Sequence, residues 1–558
     1  VITRRDALRL LGAGALAAGG AAAGGCSGAS GAAGVESRPV PDRYPINGPP
    51  AIGDALVSGS IGEATTFIWF LASDGASHAA SGMVLDSLIR YNDRLEIEPA
   101  LAERFVVSPD GLTITFHLRK NVRWTDGHPF TAEDVLFTYQ TIIDKNTPTP
   151  YADDYLRVRK AEVVGPYTFR VHYDRPFAPA LESWGAGIIP AHILRGHDIT
   201  KHPYGRNPTA GLGPYMLREW IPGQRMVTER NPDYWEGTVW IANQVTRIIP
   251  DPQTQFLELK TGGLDSMSLT PTQFEFQTGT VEFRTHFDKY RYYANVYTYL
   301  GMNLKDPRFA DVRVRRAFAY AIDKDELIRG VLFGHGKPIS APYRPGHWAY
   351  NPNVVQYEYN PQKALRLLEE AGWTRDGNGR QVKDGRPFAF EIITNQGNAP
   401  RLRTAEIIQR RLAEIGIEVS VRPIEWAAFI KDFINAGRFE AMILGWSMPP
   451  DPDQWAIWHS SQAEPGKLNH VYYKNPEVDR LLEAGRSTFD REERKRIYFR
   501  FQEIMAEEQP YVFLYVPEAL VAIHKRVKGI VPTENGVDYK SAVRWFVPKP
   551  YQKWVNLV

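Results

Sequence analysis

One cysteine in 558 residues, Cys26, limits how this chain can be held together. Without a second thiol there is no intramolecular disulfide, so any fold has to rest on buried apolar surface. The position of Cys26 narrows the matter further. It closes an Ala- and Gly-rich run from Leu10 to Gly25 that follows Thr3-Arg4-Arg5-Asp6-Ala7-Leu8-Arg9. A paired-arginine region, an apolar stretch and the small residues Ala23-Gly24-Gly25-Cys26 read as an export address over residues 1–26, not as part of a fold. The run is shorter than the ~20 residues that span hydrocarbon, and its glycines weaken a helix.

That segment resembles a twin-arginine signal ending in a bacterial lipobox. Ala7 stands where a larger apolar residue is usual, and Ala23 where Leu is usual. The resemblance implies lipidation of Cys26, contact with the membrane through that anchor only, and work outside the cytoplasm. The chain carries 66 Lys and Arg against 64 Asp and Glu, a net charge of +2, which argues against nucleic acid as a partner because that needs clustered excess cations. Residues 27–48 read as a flexible tether, first Ser, Gly and Ala, then Pro-rich. A folded body begins near Ala51.

Within the body, Leu112–Leu118 and Tyr167–Tyr173 alternate with period two behind the turn signals Pro109-Asp110-Gly111 and Gly165-Pro166, and read as strands. Thr131 with Asp134 approximates a capping box. Asn360-Pro361 starts a helix that Gly372 ends, and Asp490 with Glu493 starts another that stops before Pro510. Strands and helices alternate throughout, so the class is α/β.

The usual hydrolase and phosphate-binding signatures are missing. Gly12-Ala13-Gly14-Ala15-Leu16-Ala17 fits a dinucleotide fingerprint but follows no strand. His192, His197 and His202 are spaced by five, which does not place them on one helical face, and they read as loop histidines with no metal expected. The segment Gly445 to His459 is richer. Asp451 and Asp453 lie between prolines and beside Trp446, Trp455 and Trp458, after the apolar strand Ala441–Leu444. They suit a polar anchor in an aromatic-walled cleft. Equally, Asp453 caps the helix that begins at Gln454-Trp455, Asp451 makes a turn and the tryptophans are core. A pair of catalytic carboxylates is a third reading, but nothing in the sequence fixes the spacing that glycoside chemistry needs.

Several collinear motifs resemble one family, the extracellular solute-binding proteins of peptide-type ABC importers (the oligopeptide and dipeptide binders, family 5). They are Leu101-Ala102-Glu103-Arg104-Phe105 running into Ser108-Pro109-Asp110-Gly111, Trp124-Thr125-Asp126-Gly127 with Phe130–Val135, Gly211–Tyr215 with Glu229–Trp235, Val312–Asp323, and Gly445-Trp446. The resemblance covers nearly everything after Gly53. It implies a two-lobed periplasmic-binding-protein-like fold of type II with an extra subdomain on the first lobe. The first lobe would take residues 49–91, 207–298 and 517–558, the extra subdomain 92–206 and the second lobe 299–516. Hinge crossings would fall near Tyr299–Asn303 and Tyr511–Tyr515.

The function implied is capture without chemistry: a monomer holding a peptide between lobes for a permease and its ATPase, with no cofactor. The ligand-binding residues implied are Trp446, Ser447, Asp451, Asp453 and Trp455, the loop Asn395, Gln396, Gly397 and Asn398, and Tyr299 and Asn303. Short-peptide members place an Asp just after the Gly-Trp pair and an Arg where this chain has Asn395; here Met448-Pro449-Pro450 fills the first position. A strict dipeptide ligand is therefore disfavoured. Longer peptides lead, with a non-peptide solute (a metal complex or a sugar) or hydrolysis by Asp451 and Asp453 as alternatives.

Overall fold

In a computed structural model, which describes residues 36–37, 44 and 48–556, the alternating segments pair with one another. Thr113–Leu118 lies antiparallel to Thr168–Tyr173, with Phe116 opposite Phe169 and both rings buried. Ala102–Val107 and Val158–Gly165 complete a four-stranded antiparallel sheet. Its inner face shares one core with Phe67, Phe70 and Leu88 from the preceding segment and with helix Ala132–Ile143. At the start of that helix the Asp134 carboxylate accepts the N–H of Thr131 at 3.0 Å and that of Ala191 at 3.1 Å, so one side chain ties two helix starts together. Cys26, the whole of the segment read as an export signal and most of the segment read as a tether lie outside the described residues.

Twelve of the other strands form one sheet divided between two lobes. Tyr511–His524 is its spine. Its first part pairs with Val296–Met302, and its second part pairs with Phe287–Tyr293, from Glu518 opposite Tyr293 to His524 opposite Phe287. The chain therefore passes between the lobes at two adjacent places, between Tyr293 and Val296 and around Pro517. The apolar segments Tyr299–Met302 and Tyr511–Tyr515 are central strands of the second lobe, and the crossings sit a few residues away from them.

Strand alternation sends side chains into a core on each face of the second lobe's sheet. Leu300 and Met302 join Phe318, Ile392 and Ile408 on one face; Tyr297 and Tyr299 join Met442, Tyr511 and Phe513 on the other. Each fully buried Leu or Phe contributes ~1.5–3 kcal/mol, which is how a chain without disulfides stays folded. The helix signals also appear as expected. Asn360 accepts the N–H of Lys363 at 2.9 Å ahead of helix Pro361–Glu370, and Gly372 turns the chain out at φ +86°. Asp490 accepts the N–H of Glu493 at 2.7 Å at the head of Arg491–Glu508. We expect Asp490→Ala to cost about 1 kcal/mol, seen as a lower urea midpoint at unchanged slope.

Candidate functional site

The strand Ala441–Ser447 places the Gly-Trp pair. On one side it pairs along its whole length with Val296–Met302. On the other, Ala389–Asn395 pairs only as far as Met442. From Leu444 to Ser447 the strand thus has one neighbour, and its free edge opens on a cavity of about 710 Å³ lined by Leu444, Gly445, Trp446 and Ser447. The opposite wall belongs to the first lobe and its subdomain: Ser73, Asp74, His78, Tyr151, Asp154 and Glu182. A second cavity of about 580 Å³ shares His78, Tyr151, Asp154, Glu182 and Ser183 with the first and extends it under the subdomain.

The lobes touch around this space. Arg486 donates to Asp453 of its own lobe at 2.8 Å and to Asp154 of the subdomain at 2.6 Å. Arg157 meets Glu483 at 3.0 Å, and Lys467 meets Asp153 at 3.1 Å. Nearer the crossings, His335 lies between Glu275 at 2.6 Å and Glu518 at 2.7 Å. Gly397 approaches so closely that a Cβ there would stand 2.4 Å from the carbonyl oxygen of Pro250. The two lobes are closed on one another.

Of the residues singled out from sequence, Trp446, Ser447, Asp451 and Asp453 come together on the cavity wall. Trp446 donates from Nε1 to the Tyr511 hydroxyl at 3.1 Å and stacks on His470 at 5.1 Å. The two carboxylates are each taken by an arginine. Asp451 receives both guanidinium nitrogens of Arg494 at 2.8 Å, and Asp453 also accepts the N–H of Trp455 at 3.1 Å. Asp453 thus both pairs with Arg486 and accepts the first N–H of the short helix Trp455–Trp458.

The other expected residues do not line the cavity. Trp455 is buried under Arg486, 4.5 Å from its ring, and donates to Glu483 at 2.8 Å. Tyr299 is fully buried and stacks on Tyr511 at 3.8 Å. Asn303 closes the far end of its strand by donating to the Phe439 carbonyl at 3.0 Å. In the loop, Gln396 donates its N–H to Ile424 at 2.7 Å and Asn398 accepts the N–H of Arg401 at 3.1 Å as the cap of helix Ala399–Glu414. Asn395, also buried, accepts from Arg401 Nη1 at 3.0 Å.

That last contact identifies a residue the sequence did not single out. Arg401 lines the cavity with its Nη2 over Gly445, 3.0 Å from where a Cβ would stand. Burial pulls its pKa below the ordinary guanidinium value, and no carboxylate among the described residues pairs with it. His470 is a second. Burial pushes its pKa down to about 3, so the ring is neutral, and neither of its nitrogens has a partner among the described residues. Trp426 and Glu182 complete the set. None sits in a recognisable motif; for Arg401 the one signal available was Asn398-Ala399-Pro400, a helix start after the polar loop that was not read as one. Away from the cavity, Asp126 accepts from His192 at 2.7 Å and lies 3.2 Å from Nδ1 of His128, holding the turn before Phe130.

Comparison with known proteins adds four findings. Residues 96–467 match the model of the bacterial extracellular solute-binding proteins, family 5. The oligopeptide-binding protein AppA of Bacillus subtilis (strain 168) is 34% identical over 86% of this chain and 90% of its own length. The solved structure of AppA in complex with a nonapeptide covers 90% of this chain and 100% of that one at TM-score 0.85 and 31% identity. NikZ from Campylobacter jejuni in complex with Ni(L-His) covers 88% and 99% at TM-score 0.81 and 25% identity.

Proposed function

Because this chain belongs to the bacterial extracellular solute-binding proteins of family 5, we propose that it captures oligopeptides between its lobes and presents them, chemically unchanged, to the permease of an ABC importer. The observation that carries this reading is the free strand edge from Leu444 to Ser447 opening on the cavity. An extended peptide laid along that edge gains main-chain hydrogen bonds whatever its sequence, and the space around it tolerates varied side chains. Arg401 and His470 support the same reading. A buried guanidinium without a carboxylate and a neutral imidazole with free nitrogens offer a donor and an acceptor to a ligand that carries both acid and amide groups. Asp451 and Asp453 are both engaged by arginines, which supports binding over hydrolysis by that pair. It would work outside the cytoplasmic membrane as a monomer, anchored through Cys26 after twin-arginine export.

Trp446 offers the test. Its ring walls the cavity at the free strand edge, and aromatic anchors in such positions carry about 2 kcal/mol or more. We expect Trp446→Ala to bind an equimolar nonapeptide pool roughly thirtyfold more weakly by calorimetry, with an unchanged circular dichroism spectrum. Wild-type affinity in the variant would remove this wall from the site.

A further inference from the structure

The acids of the two joined cavities are matched, with one exception. Asp451 is held by Arg494, and Asp453 and Asp154 by Arg486. Asp74 accepts the N–H of Ser77 at 2.9 Å and its hydroxyl at 2.8 Å. Asp86, in the second cavity, accepts from Trp235 Nε1 at 2.8 Å, the Tyr234 hydroxyl at 3.1 Å and the N–H of Ser87 at 2.8 Å. Glu182 is different. It lines both cavities at their junction, bonds to the Tyr91 hydroxyl, and forms no ion pair with a Lys, Arg or His among the described residues. Tyr151 lines both cavities with it, and Trp69, Tyr91 and Tyr155 line the second, aromatic walls that favour a cation.

Resting on the peptide-binding reading, we infer that the cavity seats a positively charged group of its ligand against Glu182: an ammonium or guanidinium, from the peptide's N-terminus or from a Lys or Arg side chain. The groups facing Glu182 explain the choice. From its own side come Tyr91, Asp154 and, on helix Gly75–Val84, His78; from the second lobe come Asp451 and Asp453 with their partners Arg494 and Arg486. Burial first, then the negative charges of Asp451 and Asp453, push the Glu182 carboxyl up to about 8 in the closed form. Asp451 and Asp453 act on it from across the interlobe cavity.

Closure over a neutral ligand therefore obliges Glu182 to take up a proton at neutral pH, and closure over a cation does not. The sign follows. A carboxyl whose pKa rises on closure favours the closed form at low pH, and that benefit is lost as pH climbs from the ordinary carboxyl range through about 8. Neutral ligands should bind more weakly as pH rises through that window. Cationic ligands should not.

The experiment is calorimetric titration of the ligand-stripped full chain with three nonapeptide pools, in two buffers of different ionisation enthalpy. One pool has free N-termini and no Lys or Arg, one is N-acetylated without Lys or Arg, and one is N-acetylated with a single Lys. The inference predicts that the acetylated Lys-free pool binds at least tenfold more weakly than one of the charged pools and takes up a proton on binding. Which charged pool wins identifies the source of the cation. Glu182→Gln, neutral and isosteric, should erase the difference, and Glu182→Asp should keep part of it. Equal binding of all three pools by wild type, or a difference that survives in Glu182→Gln, would overturn the inference and leave peptide capture standing. Failure of every pool to bind would overturn peptide capture, and the inference with it.

Discussion

Replacing Arg486 with Ala should weaken ligand capture roughly a hundredfold while leaving the open protein folded. Arg486 is almost wholly buried in the closed form, its side chain only 1% exposed, and it holds one carboxylate from each lobe, Asp453 and Asp154. Burial alone would lower its pKa, yet Asp453 and Asp154 hold it above the ordinary guanidinium value. Without the guanidinium, closure would bring Asp154 and Glu182 against Asp453 and Asp451 with one cation fewer between them. Removing one partner from a buried charge pair costs about 3–5 kcal/mol, and at the low end of that range the loss is at least a hundredfold in affinity. In the open form Asp453 regains water, so the thermal midpoint of the ligand-free variant should change little. Nonapeptide affinity by calorimetry, set beside the melting curve, separates the two effects. A variant that binds as tightly as wild type would show that this bridge takes no part in closure.

The second large effect lies far from the cavity, in the core of the first lobe. Arg526 is fully buried and donates to Asp265 at 2.8 and 2.6 Å, to Asp54, and to the Ala55 carbonyl at 2.7 Å. Asp265 in turn accepts the N–H of Val57 at 3.0 Å and the indole N–H of Trp554 at 2.9 Å. The cluster thus joins the lobe's first strand, Gly53–Ser60, to both the strand-end segment 524–526 and the C-terminal strand Trp554–Asn556. Arg526→Met would leave two carboxylates facing each other out of water, at a cost of about 3–5 kcal/mol. We expect a lower urea midpoint. Unlike most acid-sensitive proteins, the variant should also regain stability as pH falls, because its unpaired buried carboxyls titrate above their unfolded values and become neutral. Arg526→Lys should rescue little, since an ammonium cannot reproduce the forked contacts to Asp265. A Met variant as stable as wild type at pH 7 would mean that the cluster adds nothing to the lobe.

What sequence made legible follows the range of the forces involved. Strand alternation, the Asn360 and Asp490 caps and the Gly372 exit are set by neighbours within a few positions, and they appear as expected. The collinear motifs carried the family and the two-lobed fold. The site was harder because its chemistry is made by distant pairings. Asp451 and Asp453 suited an anchor, a turn or a cap equally, and their pairing with Arg494 and Arg486, dozens of residues on, is a contact that local sequence does not encode. Tyr299 lies on an apolar strand whose two faces are both buried, so its residue type could not show that it fills a core rather than a cleft. Glu182 sits in a short turn with no motif, and only the meeting of two lobes makes it the unmatched acid. Arg401 stands six residues past the position where an arginine was sought, yet its guanidinium returns to Asn395 at that position.

Peptide capture in the interlobe cavity can be read from what the protein carries, by native mass spectrometry of the purified protein with denaturing release and sequencing of the bound material. A peptide receptor should release a ladder of peptides of similar length and mixed sequence, one per protein molecule. A single non-peptide mass, or hydrolysed fragments accumulating with time, would contradict it.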